Sequence, residues 1–433
     1  MPIFILFFAL FLKAEAQTAL DPDLEKLFRD SLLFYHTALR DPVSGQYFDS
    51  TDIGRPANGS SSVAATGMGL VALALGDATG LIPEARAEYL KTLKFAMGQG
   101  FVDEQNYYSN RSKQGWFRHW FDIRTGKDNG GTRVDGFSTI DTAILVAGAQ
   151  LAANYFEASG KDTDGSVRKI ANELLLGVSW NSAVARASSA RFYLNFDLAN
   201  GEASQSSPPF NEYALIPCLG AYAERKKGKS GSMVKLWQTH FLDPNLHPRK
   251  SYEGLSLLTD HPSKYISNFT LQFTYYLCRS INTNSDYIKY FKRAAEADRL
   301  WFSKQGADPQ FWGLGAGSTR FVSGEVGKVN SLYQANRWDN NEYHMVSPHI
   351  IAGFLPLYPE GKKDLLALYK NQQCLYTHRD LQVLWRCSFK DPKLPMSRLQ
   401  AIDFSTMFLG LSTLHPAVGA DFYQKYAPGL LYR

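Results

Sequence analysis

Apolar positions recur at three- and four-residue spacing along most of the chain, and that period predicts helices. Leu24, Leu27, Phe28, Leu32, Leu33 and Tyr35 mark the first, over residues 22–39. Two later stretches are apolar on every side: residues 63–75, rich in Ala and Gly, and Ile144-Leu145-Val146-Ala147-Gly148-Ala149. A helix that is hydrophobic all round is a buried one, and small side chains let its neighbours come close. Further helical text covers residues 83–97, 140–156, 166–176, 209–222, 233–241, 265–280, 286–305, 347–357, 362–371, 400–414 and 416–426. Between these lie a long aromatic loop at 101–133, strand-like text at 192–196, an irregular stretch up to Ser263, and a Gly-rich excursion or small hairpin at 313–341.

About twelve helices in pairs, with no strand-helix alternation, predict an all-α fold. An (α/α)6 toroid, or barrel, of six helical hairpins satisfies the tally, with 63–75 and 140–152 among its inner helices. An open solenoid is the rival arrangement, and no fixed repeat period supports it. No Pro/Ser-rich linker divides residues 17–433, which are therefore expected to form a single domain.

Acids at the heads of apolar helices are the candidate chemistry. Asp135-Gly136-Phe137-Ser138-Thr139-Ile140-Asp141 leads into the second buried stretch, just after Gly115-Trp116-Phe117-Arg118-His119-Trp120-Phe121-Asp122. Carboxylates and hydroxyls beside indole rings suit a sugar, whose ring faces are apolar and whose edge is polar. Asp135, Asp141, Trp116, Arg118, His119 and Trp120 are the candidate substrate-binding residues here, although an acid in a first helical turn also serves the helix dipole. Glu212, in Phe210-Asn211-Glu212-Tyr213, is the candidate general acid, because an apolar wall raises a carboxyl pKa. Trp338-Asp339-Asn340-Asn341-Glu342-Tyr343-His344 offers Glu342 or Asp339 to activate water, with Trp338 and Tyr343 to bind sugar. Glycoside cleavage needs two such carboxyl groups flanking the bond. Asp260-His261-Pro262, followed by Asn268, is a weaker candidate, and Ala401-Ile402-Asp403-Phe404 sets one more acid at a helix head.

Composition narrows the alternatives. The 433 residues are 14% aromatic and carry a formal charge of only +5, with a single basic knot at Arg225-Lys226-Lys227-Gly228-Lys229. Nucleic-acid binding is not expected from that distribution. No GxSxG elbow and no phosphate-cradling or dinucleotide glycine motif is present, and no cofactor or metal is implied. The apolar run at 2–12 followed by Ala14-Glu15-Ala16 reads as a secretory signal ending at residue 16. A periplasmic or secreted protein, not inserted in the membrane, is expected. Of four cysteines, Cys374 with Cys387 is the local disulfide expected, while Cys218 and Cys278 read as buried free thiols.

Thr66-Gly67-Met68-Gly69-Leu70, Phe137-Ser138-Thr139-Ile140-Asp141-Thr142-Ala143 with Tyr155-Phe156, Asn211-Glu212 and Ala401-Ile402-Asp403 stand together in a family pattern. Their order and intervals resemble the glycoamylase-like family, which includes bacterial endo-β-1,2-glucanases and the glycosidase-like region of cyclic β-1,2-glucan synthases. Asp122-Ile123-Arg124-Thr125-Gly126-Lys127 resembles its D-x-x-T-G-K segment. The resemblance implies an (α/α)6 barrel and inverting hydrolysis of a β-1,2-glucan, with Glu212 as general acid, Asp141 lining the sugar pocket and Asp403 structural or rim-forming. The family's base region is represented by residues 341–348, without its Asp-Gly. A non-catalytic glycan-binding envelope protein on the same frame is the alternative from another class. A polysaccharide lyase using Tyr343 and His344 is a third.

Overall fold

A computed structural model describes residues 20–52, 57, 59–99, 111–123, 126, 136–196, 205–208, 210–322 and 329–431. The expected signal at 1–16 and the candidate Asp135 lie outside the described residues. Helices dominate: fourteen α-helices occur among the described residues, and strands are short. None of these helices is long and apolar enough to cross a membrane.

The Val63–Ala78 helix is buried along its whole length to Gly76, and Thr139–Ala158 is buried nearly as completely. They pack on each other through glycine. A Cβ on Gly148 would fall 2.0 Å from the Gly67 carbonyl oxygen, and one on Gly67 would fall 2.5 Å from that of Ile144. Ala401–Ser412 meets Pro348–Gly353 in the same way, with Gly410 facing the Ala352 carbonyl. Thr139–Ala158 also contacts Leu215–Lys226, Phe269–Leu277 contacts Pro348–Gly353, and Ala401–Ser412 contacts Val63–Ala78. One continuous hydrophobic core runs through all of these helices.

Amphipathic helices flank this inner set. Tyr35 from Pro22–Ala38 donates to the Ala65 carbonyl (2.8 Å), and Tyr89 from Ala85–Ala96 donates to that of Ala149 (2.8 Å). A buried phenol satisfied in this way adds direction to apolar packing.

The strands gather where the inner helices begin. Asp49 N donates to Ser60 O, Ser50–Asp52 pairs with Arg398–Gln400, and Ala401 N donates to Asp49 O. Ser60–Ser62 pairs with Trp120–Asp122, and Val63 N bonds the His119 carbonyl. Phe117–Arg118 pairs with Phe137–Ser138, which pairs with Asn195–Phe196. The starts of the helices at Val63, Thr139 and Ala401 are thus stitched together by short ladders.

Three expectations need correcting. Cys218 and Cys278 are disulfide-bonded (Cα–Cα 6.4 Å), as are Cys374 and Cys387 (5.1 Å). Cys278 takes extended backbone and divides the helix expected over 265–280 into Phe269–Leu277 and Arg279–Asn282. The irregular stretch before Ser263 contains a hairpin, Arg249–Tyr252 with Leu255–Leu258, and a second joins Leu375–His378 to Leu381–Leu384. The excursion at 313–341 does contain a hairpin, Ala316–Val322 with Val329–Ala335.

Arg386 holds that hairpin down. It is fully buried, yet all its acceptors are neutral: the carbonyls of Ser318 (3.1 Å) and Gly315 (2.7 Å), the hydroxyls of Ser347 (2.8 Å) and Thr319 (3.0 Å), and the Asn336 amide oxygen. Burial pulls its guanidinium down to about 10.

The glycine contacts yield a stability prediction. Gly148→Ala is expected to destabilise the fold by about 2 kcal/mol or more, since overpacking a tight core is unfavourable. Gly160→Ala, where a Cβ meets nothing within 4 Å and φ is +71°, should lose only what the left-handed backbone demands. Urea titration checks this, and a Gly148→Ala midpoint equal to the parent's would contradict the close approach.

Candidate active site

Ser138 caps the Thr139–Ala158 helix: its Oγ accepts from Asp141 N (3.3 Å), and its hydroxyl donates to the Asp141 carboxylate. The N-cap serine thus bonds both the N–H and the carboxylate of Asp141 and fixes it at the mouth of the helix. His119 Nδ1 stands 3.5 Å from Asp141 Oδ2. The His119 ring lies flat on Trp120, with centroids 3.6 Å apart and planes 15° apart. Trp120 Nε1 in turn donates to Asp49 Oδ1 (3.0 Å). Helix start, histidine, indole and second acid thus form one connected wall.

Glu212 opens a short 3-10 turn, Glu212–Ala214, that runs into Leu215–Lys226. Asn211 caps it by accepting from Tyr213 N (3.0 Å). Burial pushes the Glu212 carboxyl up to about 7. The Thr270 hydroxyl, 3.3 Å from Oε2, works against the shift, and the negative charges of Asp141 and Asp260 add to it. Among the described residues, no cation is one of the largest influences on it. Asp260 is itself half-buried, raised by burial and lowered in part by Arg337, and its Oδ1 has no hydrogen-bond partner. A carboxyl kept neutral near pH 7 and facing other carboxylates is poised to give a proton away.

Asp403 is a second carboxyl pushed up to about 7 by burial, with Arg386 opposing the shift. The Tyr333 hydroxyl donates to its Oδ1 (3.4 Å), while its Oδ2 is buried without a partner. Asp49 acts on it electrostatically, so Asp403 adjoins the Asp49–Trp120 end of the same wall. Tyr333 and Asp49 carried no signal in the sequence beyond their positions in polar loops.

The remaining candidates divide. Arg118 lies over the Phe137 ring at 5.8 Å, beside the Asp141 helix start. Trp338 stacks on Tyr252 (6.1 Å, 18°) and meets Tyr265 edge-on (5.0 Å), a half-buried aromatic surface. Trp116 is not on the wall. It is completely buried, edge-on to Trp180, and its Nε1 donates to Ser182 Oγ (2.9 Å), so it packs the core.

Glu342 and Asp339, expected to activate water, are exposed. Asn341 spends its amide on Met345, donating to its carbonyl and accepting from its N–H, and this tight turn leaves Glu342 on the solvent side. Asp339 accepts from Arg337 Nε (3.0 Å). The charges that act most on Glu212 are those of Asp141 and Asp260 instead. Tyr343 is also exposed, and His344 turns its ring onto Phe389 at 5.0 Å, which gives a Tyr–His lyase pair no geometric support. Among the described residues no group of three or more His, Cys, Asp or Glu could hold a metal ion.

No protein-family model and no curated protein sequence matches the chain. Solved structures do. An endo-β-1,2-glucanase from Chitinophaga pinensis, in complex with sophorotriose and glucose, is similar with a TM-score of 0.72 at 16% identity, over 94% of this chain and 95% of that one. The chain shares the fold of the endo-β-1,2-glucanases. The β-1,2-glucanase from Parabacteroides distasonis gives 0.66 at 18% identity, over 94% of this chain and 61% of the other. The sophorose complex of the endo-β-1,2-glucanase from Talaromyces funiculosus gives 0.61 at 11%, over 90% and 84%. The resemblance read from the motifs is thus matched by a likeness of fold across most of the chain.

The raised Glu212 pKa makes stability depend on pH. The carboxyl titrates near 4.5 when unfolded and near 7 when folded, so the fold binds the extra proton between those values. The stability tied to the neutral form is fully present below 4.5 and is lost as pH rises through 7. Glu212→Gln removes this loss. The variant should gain about 2 kcal/mol on the parent above neutral pH, allowing for the residual exposure of the group, and match it in acid. Asp298 and Asp403 titrate in both proteins, so the difference isolates Glu212. Denaturant titrations across pH check it, and a pH-independent difference would contradict the assignment.

Proposed function

We propose that the chain is an exported glycoside hydrolase that cleaves a β-glucan, β-1,2-linked, by inversion. Glu212 is its general acid, and its half-buried carboxyl, raised to about 7 by desolvation and by the charges of Asp141 and Asp260, is the observation that carries the reading. Asp141, held by Ser138 and His119 and acting electrostatically on Glu212, is the carboxylate that takes the proton of the attacking water. It replaces Glu342 and Asp339 in that role. Inversion requires the two carboxyl groups to stand apart, with room for a water between them. The His119–Trp120 stack and the Trp338–Tyr252 surface offer flat apolar faces for glucosyl rings.

The succession of packed inner helices supports an (α/α)6 toroid with residues 17–433 as one domain. Two disulfides suit an oxidising compartment, and with the signal-like text at 1–16 they support a periplasmic or secreted location. The glucanases that share the fold support the substrate class, since the solved complexes of two of them hold sophorotriose or sophorose.

Incubation with a panel of β-glucans, reading reducing ends and the product anomer by NMR, tests the proposal. Release of α-anomeric product from β-1,2-glucan is expected, and Glu212→Gln should lower kcat by about 10³, within the range for losing an acid–base group. Glucan bound with no reducing ends released would favour a non-catalytic glycan-binding protein. An unsaturated, ultraviolet-absorbing product would favour a lyase.

A further inference from the structure

Val184–Arg186 and Arg191–Phe192 form a small hairpin with a register shift between Val184 and Arg186. Its turn places Ala190 at φ +47°, a left-handed conformation that a residue with a Cβ seldom adopts. The register sets Arg186 directly opposite Arg191, and like charges so placed repel. Several other arginines of the fold are ion-paired: Arg40 with Glu88, Arg86 with Asp164, Arg299 with Asp364 and Arg398 with Asp52. Among the described residues, Arg186 and Arg191 have no ion-pair or hydrogen-bond partner. Both line one cavity of about 410 Å³, together with Ala185, Tyr193, Gln205 and Ser206. Among the described residues of that lining every polar side chain can donate a hydrogen bond, and none is a carboxylate.

One residue of the cavity lining is bonded to the start of the helix that carries Asp141. The Tyr193 carbonyl accepts from Thr139 Oγ1 (2.6 Å), and the next carbonyl, of Leu194, accepts from Thr139 N (3.1 Å). Thr139 opens the helix that carries Asp141, two residues on. Tyr193 is bridged to Ser206, so the two residues that frame the cavity are also tied to the start of that helix.

We propose that this cavity binds an oxyanionic group, a carboxylate or a phosphate or sulfate ester, carried by a saccharide bound at the candidate active site. Two guanidinium forks facing one space match the planar or tetrahedral oxygens of such a group, which a neutral glucosyl unit lacks. The anion is what lets the hairpin hold like charges opposite each other. The identity of the carrier rests on the glycosidase reading above, and the presence of an anion site does not.

The test compares the parent with an Arg186→Gln/Arg191→Gln variant. Inorganic phosphate is titrated by calorimetry, and KM is measured on β-1,2-glucan and on the same glucan partly carboxymethylated. The parent is expected to bind phosphate and the variant not to. The ratio of KM for the neutral glucan to KM for the carboxymethylated one should fall by about tenfold in the variant, as loss of a charged hydrogen bond implies. Circular dichroism spectra of the two proteins should coincide. An unchanged KM ratio, or phosphate bound equally by both proteins, overturns the proposal. Phosphate binding lost in the variant without any change in the KM ratio means a free anion and overturns the saccharide-borne ligand. If the parent cleaves neither glucan, the glycosidase reading fails, and the phosphate titration still decides the anion site.

Discussion

Burying a carboxyl group with no cation beside it is unfavourable unless the group stays neutral. Glu212 is largely withdrawn from water, and the charges that act on it most among the described residues are the carboxylates of Asp141 and Asp260. The arrangement holds only because the rest of the fold fixes each acid in place. The Ser138 cap sets Asp141, Asn211 sets the turn that carries Glu212, and the Thr270 hydroxyl bonds the Glu212 carboxylate. A surface acid could rotate away from such company, but one on a capped, buried turn cannot.

That rigidity starts in the helix contacts. Gly67 against Gly148 and Gly410 against Ala352 let backbones meet at distances no side chain would permit. The helix starts are then clipped by ladders of two or three residues, which carry His119, Trp120 and Asp49 onto one wall. Arg386 extends the same scaffold by pinning the 316–335 hairpin, from which Tyr333 reaches Asp403. The mobile-looking text of the sequence, its polar loops and Gly-rich excursion, thus supplies much of the wall in fixed form.

Much of this was legible in the sequence because its causes are local. Helical periodicity located the inner helices, and the acids Asp141 and Glu212 declared themselves by standing at helix heads in apolar text. What escaped depends on tertiary pairing. Trp116 looks like its neighbour Trp120 in sequence, yet one fills the core beside Trp180 and the other faces Asp49. Glu342 and Asp339 sit in text as polar as any active-site loop, and only the folding of the Asn341 turn shows them pointing to solvent. The short hairpins lack the alternation that marks longer strands, and the Cys218–Cys278 bond joins residues 60 apart, beyond any local signal. Asp260, a weak candidate by its text, gains weight because its charge reaches Glu212.

The central claim is that Glu212 is a neutral acid held so by burial and by the carboxylates around it. Its side-chain carbon can be followed by 13C NMR through a pH titration, with Glu212→Gln to assign the signal. The account predicts a midpoint near 7 in the parent, displaced downward in Asp141→Asn as one neighbouring charge is removed. A Glu212 midpoint in the ordinary range near 4.5, unmoved by Asp141→Asn, would contradict it.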